Sequence, residues 1–318
     1  MNILIRRRAD QYITQRFDQN FTIIKIDFDC INEYDVKNHA VLVDIGETEL
    51  IAQLRSQGFK VIISKFYDEL LDDPRGTYTE DECLYLHARN WFRFQSAAVW
   101  STAKHNYIRP LSVPDRFFLM MMNLRKDHRT RLFEATQPYH ADSLYSYVEQ
   151  GYYLPDDVPP TGSGQCRGTS DQHFYNPAWY DQTAFSLVAE SRVQWPTRSP
   201  TARFVSEKIF KPIAFQHAFV TYSTAGTLSY LHEMGFETFD HVIDESYDQI
   251  ADPLRRLNAI ELILKDLYQQ YQNSQQLFSD TISQQKILHN YYNFYDPGKL
   301  NQLWTTEIIN PIREFLNA

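Results

Sequence analysis

Ser206-Glu207-Lys208 sets a hydroxyl, a carboxylate and an ammonium on consecutive residues, directly before the apolar pair Ile209-Phe210. Read as a helix start, Ser206 caps orphan backbone N–H groups, and the helix dipole favours an anion there. Lys208 adds a full positive charge in a first turn whose dipole opposes it, so it needs another reason to be there. The chemistry this serves is a grip on a polar anionic ligand. Pro212, six residues into the same helix, loosens it and shapes whatever pocket it borders.

Two neighbouring stretches give the turn a context. Upstream, Phe185-Ser186-Leu187-Val188-Ala189 reads as an apolar strand ending on the carboxylate of Glu190. Downstream, Ala218 to Tyr222 reads as a second strand, closed by the small-residue turn Ser223 to Gly226. A third constellation, Asn123-Leu124-Arg125-Lys126-Asp127-His128-Arg129, follows the buried strand Arg116 to Met122. It delivers Asn123, Arg125 and Arg129 to the strand's C-terminal end, where ligands bind in open α/β sheets, and an Arg fork suits a pyrophosphate. Glu207 can accept hydrogen bonds from ribose or sugar hydroxyls, while Lys208 neutralises a diphosphate oxygen as the leaving group departs.

The order of carboxylate, Ser-Glu-Lys helix, strand and small-residue turn resembles the donor-binding core of family 10 glycosyltransferases, the α1,3-fucosyltransferases. There a strand ending in Glu-Asn precedes a Thr-Glu-Lys helix. The resemblance spans residues 113 to 230 and is carried mainly by Glu190, Glu207 and Lys208. It implies a GT-B-like α/β fold: two Rossmann-like domains with a cleft between them. It implies an inverting, metal-independent transfer of a sugar, fucose favoured, from a nucleoside diphosphate such as GDP to an acceptor hydroxyl on a glycan. It also implies that Glu190 lies on the donor-sugar side, that Arg125 or Arg129 contacts donor phosphate, and that Asn123, Ser206, Tyr222 and Gly226 help to build the donor site.

An inverting transfer needs a general base for the acceptor hydroxyl. Acidic residues at strand ends or in the following loops of the first domain are Asp44, Glu47, Asp68 and Glu69; Glu47, just after the strand Ala40 to Val43, is the first choice. Asp27-Phe28-Asp29 follows another strand and brings metal-dependent transferases and haloacid-dehalogenase-like phosphatases to mind. Neither pattern completes itself, and a basic grip and a metal are alternative ways of neutralising a diphosphate, so the pair is read as a helix cap. The expected site therefore has no metal and no cofactor beyond the nucleotide-sugar substrate. In Gly235 to Asp248 the dense carboxylates match no cation loop, and capping by Asp244 or Ser246 is favoured; Asp244, Glu245 and Tyr247 are secondary candidates for base contacts.

The positioning elements follow from pattern. Short apolar strands at 22–26, 40–43 and 61–63, with an amphipathic run at 47–57 stopped by Gly58, are the signature of parallel α/β units. A helix is expected over 83–98. The boundary is placed near Pro114, giving an N-terminal acceptor-side domain at 1–113 and a nucleotide-sugar-binding domain at 114–300. A terminal helix at 301–318, broken at Pro311, is expected to return to the first domain. The Pro, Gly and Asp-rich stretch 154–168 reads as a loop, and long helices are expected from Asp252 onward.

Composition limits the alternatives. A chain of 318 residues with 43% hydrophobic residues supports two cores. Its 21 Tyr and 21 Phe serve packing first. A net charge of −9 argues against a nucleic-acid partner, and so against the alternative of a glycosyltransferase acting on nucleic-acid bases. A non-catalytic carbohydrate-binding relative is the other alternative. Cys30, Cys83 and Cys166 fit neither a disulfide framework nor a zinc site, which points to a reducing, cytoplasmic location. Neither a signal peptide after Arg6-Arg7-Arg8 nor an apolar run of about 18 residues is expected, hence no membrane span.

Overall fold

The computed structural model describes residues 2–6, 21, 23–26, 35–37, 39–44, 48–64, 78–80, 83–86, 93–94, 96–97, 109, 113–155, 176–194, 205–274 and 276–318. The chain is mixed α/β with largely parallel sheets, and it divides into two compact units: Met1–Gln95 with Pro297–Ala318, and Ser96–Asp296.

The first unit holds a six-stranded sheet. Its strands are β1 (Asn2–Arg6), β2 (Ile23–Ile26), β3 (His39–Asp44), β4 (Lys60–Ser64), β5 (Tyr78–Glu80) and β6 (Cys83–Leu86), in the order β2-β1-β3-β4-β6-β5. All neighbours are parallel except the edge pair β5–β6. Helix α1 (Thr48–Ser56) crosses from β3 to β4 and buries Leu54 with Leu4, Val41, Val61 and Cys83. Gly58, at φ +85°, ends it: Phe59 N–H reaches back to Leu54 C=O, a left-handed turn that only glycine makes cheaply. The helix expected over 83–98 is corrected at its start. Cys83–Leu86 pairs with β4, because the run Cys-Leu-Tyr-Leu buries three of its four side chains in the sheet.

The second unit is built on four strands, all parallel: β7 (Arg116–Met122), β8 (Leu144–Tyr147), β9 (Thr183–Ala189) and β10 (Phe219–Tyr222), ordered β10-β9-β7-β8. The crossovers carry α2 (Asp127–Thr136), α3 (Pro177–Gln182) and α4 (Glu207–Ala214); α5 (Thr227–Glu233), α6 (Pro253–Ser274) and α7 (Thr281–Tyr295) follow. All seven residues of β9 are buried, as expected of a strand covered on both faces. Phe117 on β7 is the hub of an aromatic core, with ring centroids 5.2 Å from Phe185, 5.1 Å from Tyr268 and 5.6 Å from Tyr139. Tyr271 ties α6 to the start of β7 by donating its hydroxyl to Asp115 C=O at 2.8 Å.

After α7, α8 (Pro297–Trp304) and α9 (Asn310–Asn317) belong to the first unit. Between them Thr305–Ile309 widens into a π-helical turn, which relieves the missing N–H and ring bulk of Pro311. Lys60 of β4 fastens α9 by donating to Phe315 C=O at 3.0 Å and Leu316 C=O at 3.3 Å, a cation at the negative end of the helix. Trp304 meets the ring of Phe94 edge-on at 5.3 Å. Among the described residues no helix is long and apolar enough to cross a membrane.

The aromatic hub gives a direct stability test. Phe117→Ala removes a fully buried ring and should lower the unfolding free energy of the second unit by about 3–5 kcal/mol. Leu262→Ala on α6, a residue 66% exposed, should change it by less than about 0.5 kcal/mol. Urea titrations followed by tryptophan fluorescence measure both.

Candidate anion-binding site

In the four-stranded sheet the chain leaves β7 towards β8 on one side and leaves β9 towards β10 on the other. The boundary β7/β9 is therefore a topological switch point. With right-handed crossovers, α2 and α4 lie on opposite faces, and the loops behind the two strands part to leave a crevice. A cavity of about 160 Å³ lies there. Its floor is strand, from Leu119 and Met121 of β7 to Ser186–Ala189 of β9. Asn123, Leu124, Lys126 and Arg129 come from the β7 side, Ser191 from the end of β9, and Glu207, Lys208, Lys211 and Pro212 from α4. Four cationic side chains thus face one carboxylate.

Arg129 is the most deeply placed of the cations, only 3% exposed. It sits on the inward stripe of α2 together with Leu132, Phe133 and Thr136. One terminal nitrogen donates to Leu124 C=O at 3.2 Å, while Nε has no hydrogen-bond partner among the described residues. Burial lowers the guanidinium from its usual value, and the charges of Glu190 and Glu207 offset part of that. An unsatisfied buried donor is costly, and this one belongs to a residue that lines the cavity.

Helix α4 begins as its sequence dictates. Ser206 is the N-cap, its Oγ accepting from Lys208 N–H at 3.3 Å. The same hydroxyl donates to Glu190 Oε2 at 2.5 Å, and Ser206 N–H donates to Oε1 at 3.0 Å. Ser191 N–H adds a third bond to Glu190 at 3.2 Å. Glu190 is fully buried and does not line the cavity; it is a positioning residue that ties the end of β9 to the start of α4. Burial pushes its carboxyl up, against Lys208 and the Ser206 hydrogen bonds.

Lys208 folds back along the helix start, with Nζ 2.5 Å from Glu207 Oε1 and 3.4 Å from Ser206 Oγ. Burial pushes the Glu207 carboxyl up, but Lys208 and Lys211 outweigh it and hold the group below the usual carboxylate range. Lys126 clamps the two loops together by donating to Ser191 C=O at 3.0 Å. His128 donates from Nε2 to Glu190 C=O at 3.0 Å, and burial lowers its pKa from 6.5 to about 4, so the ring is neutral near pH 7.

Of the residues singled out from sequence, Asn123, Arg129, Glu207 and Lys208 are brought together on the cavity, with Ser206 and Glu190 packed behind them. Arg125 precedes α2; its N–H donates to Glu149 Oε2 at 2.5 Å, and its side chain is exposed and off the cavity wall. Tyr222 is held elsewhere, its hydroxyl donating to Pro253 C=O at 3.1 Å. Gly226 takes φ +79° to start α5, whose N-terminus is filled by Asp248 Oδ1, 3.1 Å from Leu228 N–H. Glu245 accepts from Thr238 Oγ1 and Phe239 N–H, each at 2.7 Å; Asp244 caps the turn 245–249; Tyr247 is buried against Thr221 N–H. Glu47, Asp68, Glu69, Asp27, Asp29, Cys30 and Cys166 lie outside the described residues, as does the loop from 156 to 168. Among the described residues no group of three or more His, Cys, Asp or Glu converges to hold a metal.

Sequence reasoning missed Lys126 and Lys211. Lys211 stands four residues after Glu207, the spacing that puts the two on one helical face. Comparison of the chain with protein-family models, with curated proteins and with solved structures gives no match.

The neutral histidines set a pH dependence. His128 and His140 titrate at about 4 in the folded protein, and buried His217 is also held well below its usual value. The unfolded chain therefore binds more protons between about pH 4 and 6.5, and stability falls as pH drops through that window. His128→Gln keeps a donor for Glu190 C=O and removes one titrating ring. The stability lost between about pH 7 and pH 5 should shrink by about 1 kcal/mol after solvent screening, as read from urea midpoints at the two pH values.

Proposed function

We propose that the cavity at the β7/β9 switch point holds the diphosphate of a nucleoside-diphosphate sugar. On this reading the chain is an inverting, metal-independent glycosyltransferase of GT-B type that transfers the sugar, fucose favoured, to an acceptor hydroxyl on a glycan. The observation that carries the reading is the buried guanidinium of Arg129, with an unpartnered Nε, on a cavity shared with Lys126, Lys208 and Lys211. Cations placed where negative charge develops on a leaving diphosphate lower the barrier to its departure without a metal.

Size supports the phosphate assignment. At about 160 Å³ the cavity is smaller than the roughly 300–1,000 Å³ of pockets that enclose drug-sized ligands. It suits the phosphoryl groups, with nucleoside and sugar extending beyond it. Glu190 contributes by holding the α4 start in place, and Glu47 is the candidate base for the acceptor.

A thermal-shift screen with GDP, UDP, CDP and ADP tests this. One nucleotide at about 100 times its Kd should add about 2.7 kcal/mol of stability, a rise of a few degrees in Tm, and EDTA should leave it unchanged. Lys208→Ala should abolish most of the shift. If none of the four stabilises the wild type, the reading fails.

A further inference from the structure

Among the described residues Glu207 is the one carboxylate on a wall of four cations, and it is engaged. Its Oε1 lies 2.5 Å from Lys208 Nζ, with the two side chains 18% and 27% exposed. Adjacent residues on a helix do not normally face each other, so Lys208 has curled back over the helix start to make this contact. The result is a partly buried ion pair at the mouth of α4, and a lysine whose charge is already answered before any ligand arrives. Arg129 differs: it lines the same cavity, and its Nε has no hydrogen-bond partner among the described residues.

We propose that Glu207 is the resident counter-ion of this cavity and thereby a specificity determinant, favouring anions with two linked phosphoryl groups over those with one. The inference rests on the cavity being a diphosphate site and adds how that site selects its ligand. A single phosphoryl group that reaches Lys208 must displace Glu207, exchanging one anion for another with little net gain. A diphosphate makes the same exchange with one group while its second group pairs with Arg129, a contact that displaces nothing. The gain from the second group drives the opening of the pair.

Titration calorimetry with inorganic phosphate and inorganic pyrophosphate on wild type, Glu207→Gln and Lys208→Ala separates the possibilities. Wild type should bind pyrophosphate and bind phosphate much more weakly. In Glu207→Gln, Lys208 is released, so phosphate affinity should rise roughly five- to tenfold, with a smaller gain for pyrophosphate. The discrimination between the two anions narrows accordingly. In the Lys208→Ala background Glu207→Gln should have no such effect, since the counter-ion acts through that lysine; a merely structural role would not show this dependence. Glu207→Ser, which retains a residue at home in a first helical turn, provides the same readout if the Gln variant does not fold. Phosphate affinity that is unchanged or weaker in the folded variants overturns the counter-ion role while leaving the diphosphate site standing. Failure of wild type to bind pyrophosphate removes the site itself.

Discussion

The site depends on a fully buried carboxylate. Glu190 ends β9 in an environment that penalises its charge, and it is stabilised by three hydrogen bonds, from Ser206 N–H, Ser206 Oγ and Ser191 N–H. Two of the three come from the N-cap of α4, so satisfying Glu190 and starting the helix at Ser206 are the same event. The interaction holds the cap 16 residues along the chain from Glu190, and with it the directions in which Glu207, Lys208 and Lys211 project. The charge also reaches Arg129, where Glu190 and Glu207 offset part of the burial that lowers its guanidinium.

Cations and carboxylates then alternate through a small volume. Glu190 lies behind the wall and Glu207 on it; Arg129, Lys126, Lys208 and Lys211 surround them. Four cations held in such proximity repel one another, and the two carboxylates make the assembly tolerable in the absence of ligand. The topology supplies the rest. In the four-stranded sheet the crossovers from β7 and β9 diverge at the boundary the two strands share, and all of these charged residues hang from the two loops and two helices that part there.

Much of this framework is legible in the sequence. The apolar runs Arg116 to Met122 and Phe185 to Ala189 are strands because most of their side chains suit a doubly covered parallel sheet, and Ser206 announces its helix through cap chemistry. The sequence leaves Arg125 and Arg129 as alternatives, because the choice depends on where α2 begins. Once the helix starts at Asp127, the spacing 129, 132, 133, 136 puts Arg129 on the inward face with Leu132 and Phe133, and leaves Arg125 before the first turn. The strand Cys83–Leu86 is not legible as one because four apolar-rich residues carry no period of their own; pairing with β4 decides it. Glu190, read as a group facing the donor, lies behind the cavity wall, since no sequence pattern reveals that a strand-end carboxylate will be consumed by the next helix's cap.

The account stands on the buried guanidinium of Arg129 as a ready anion anchor. Nitrogen-15 NMR of the Arg Nε–H resonances during a pyrophosphate titration observes that group directly, with Arg129→Lys identifying its signal. The account predicts a protected Arg129 Nε–H resonance that moves as pyrophosphate saturates the protein, together with loss of most of the affinity in the variant. A resonance that stays in place at saturation, or a variant that binds as tightly as the wild type, would contradict it.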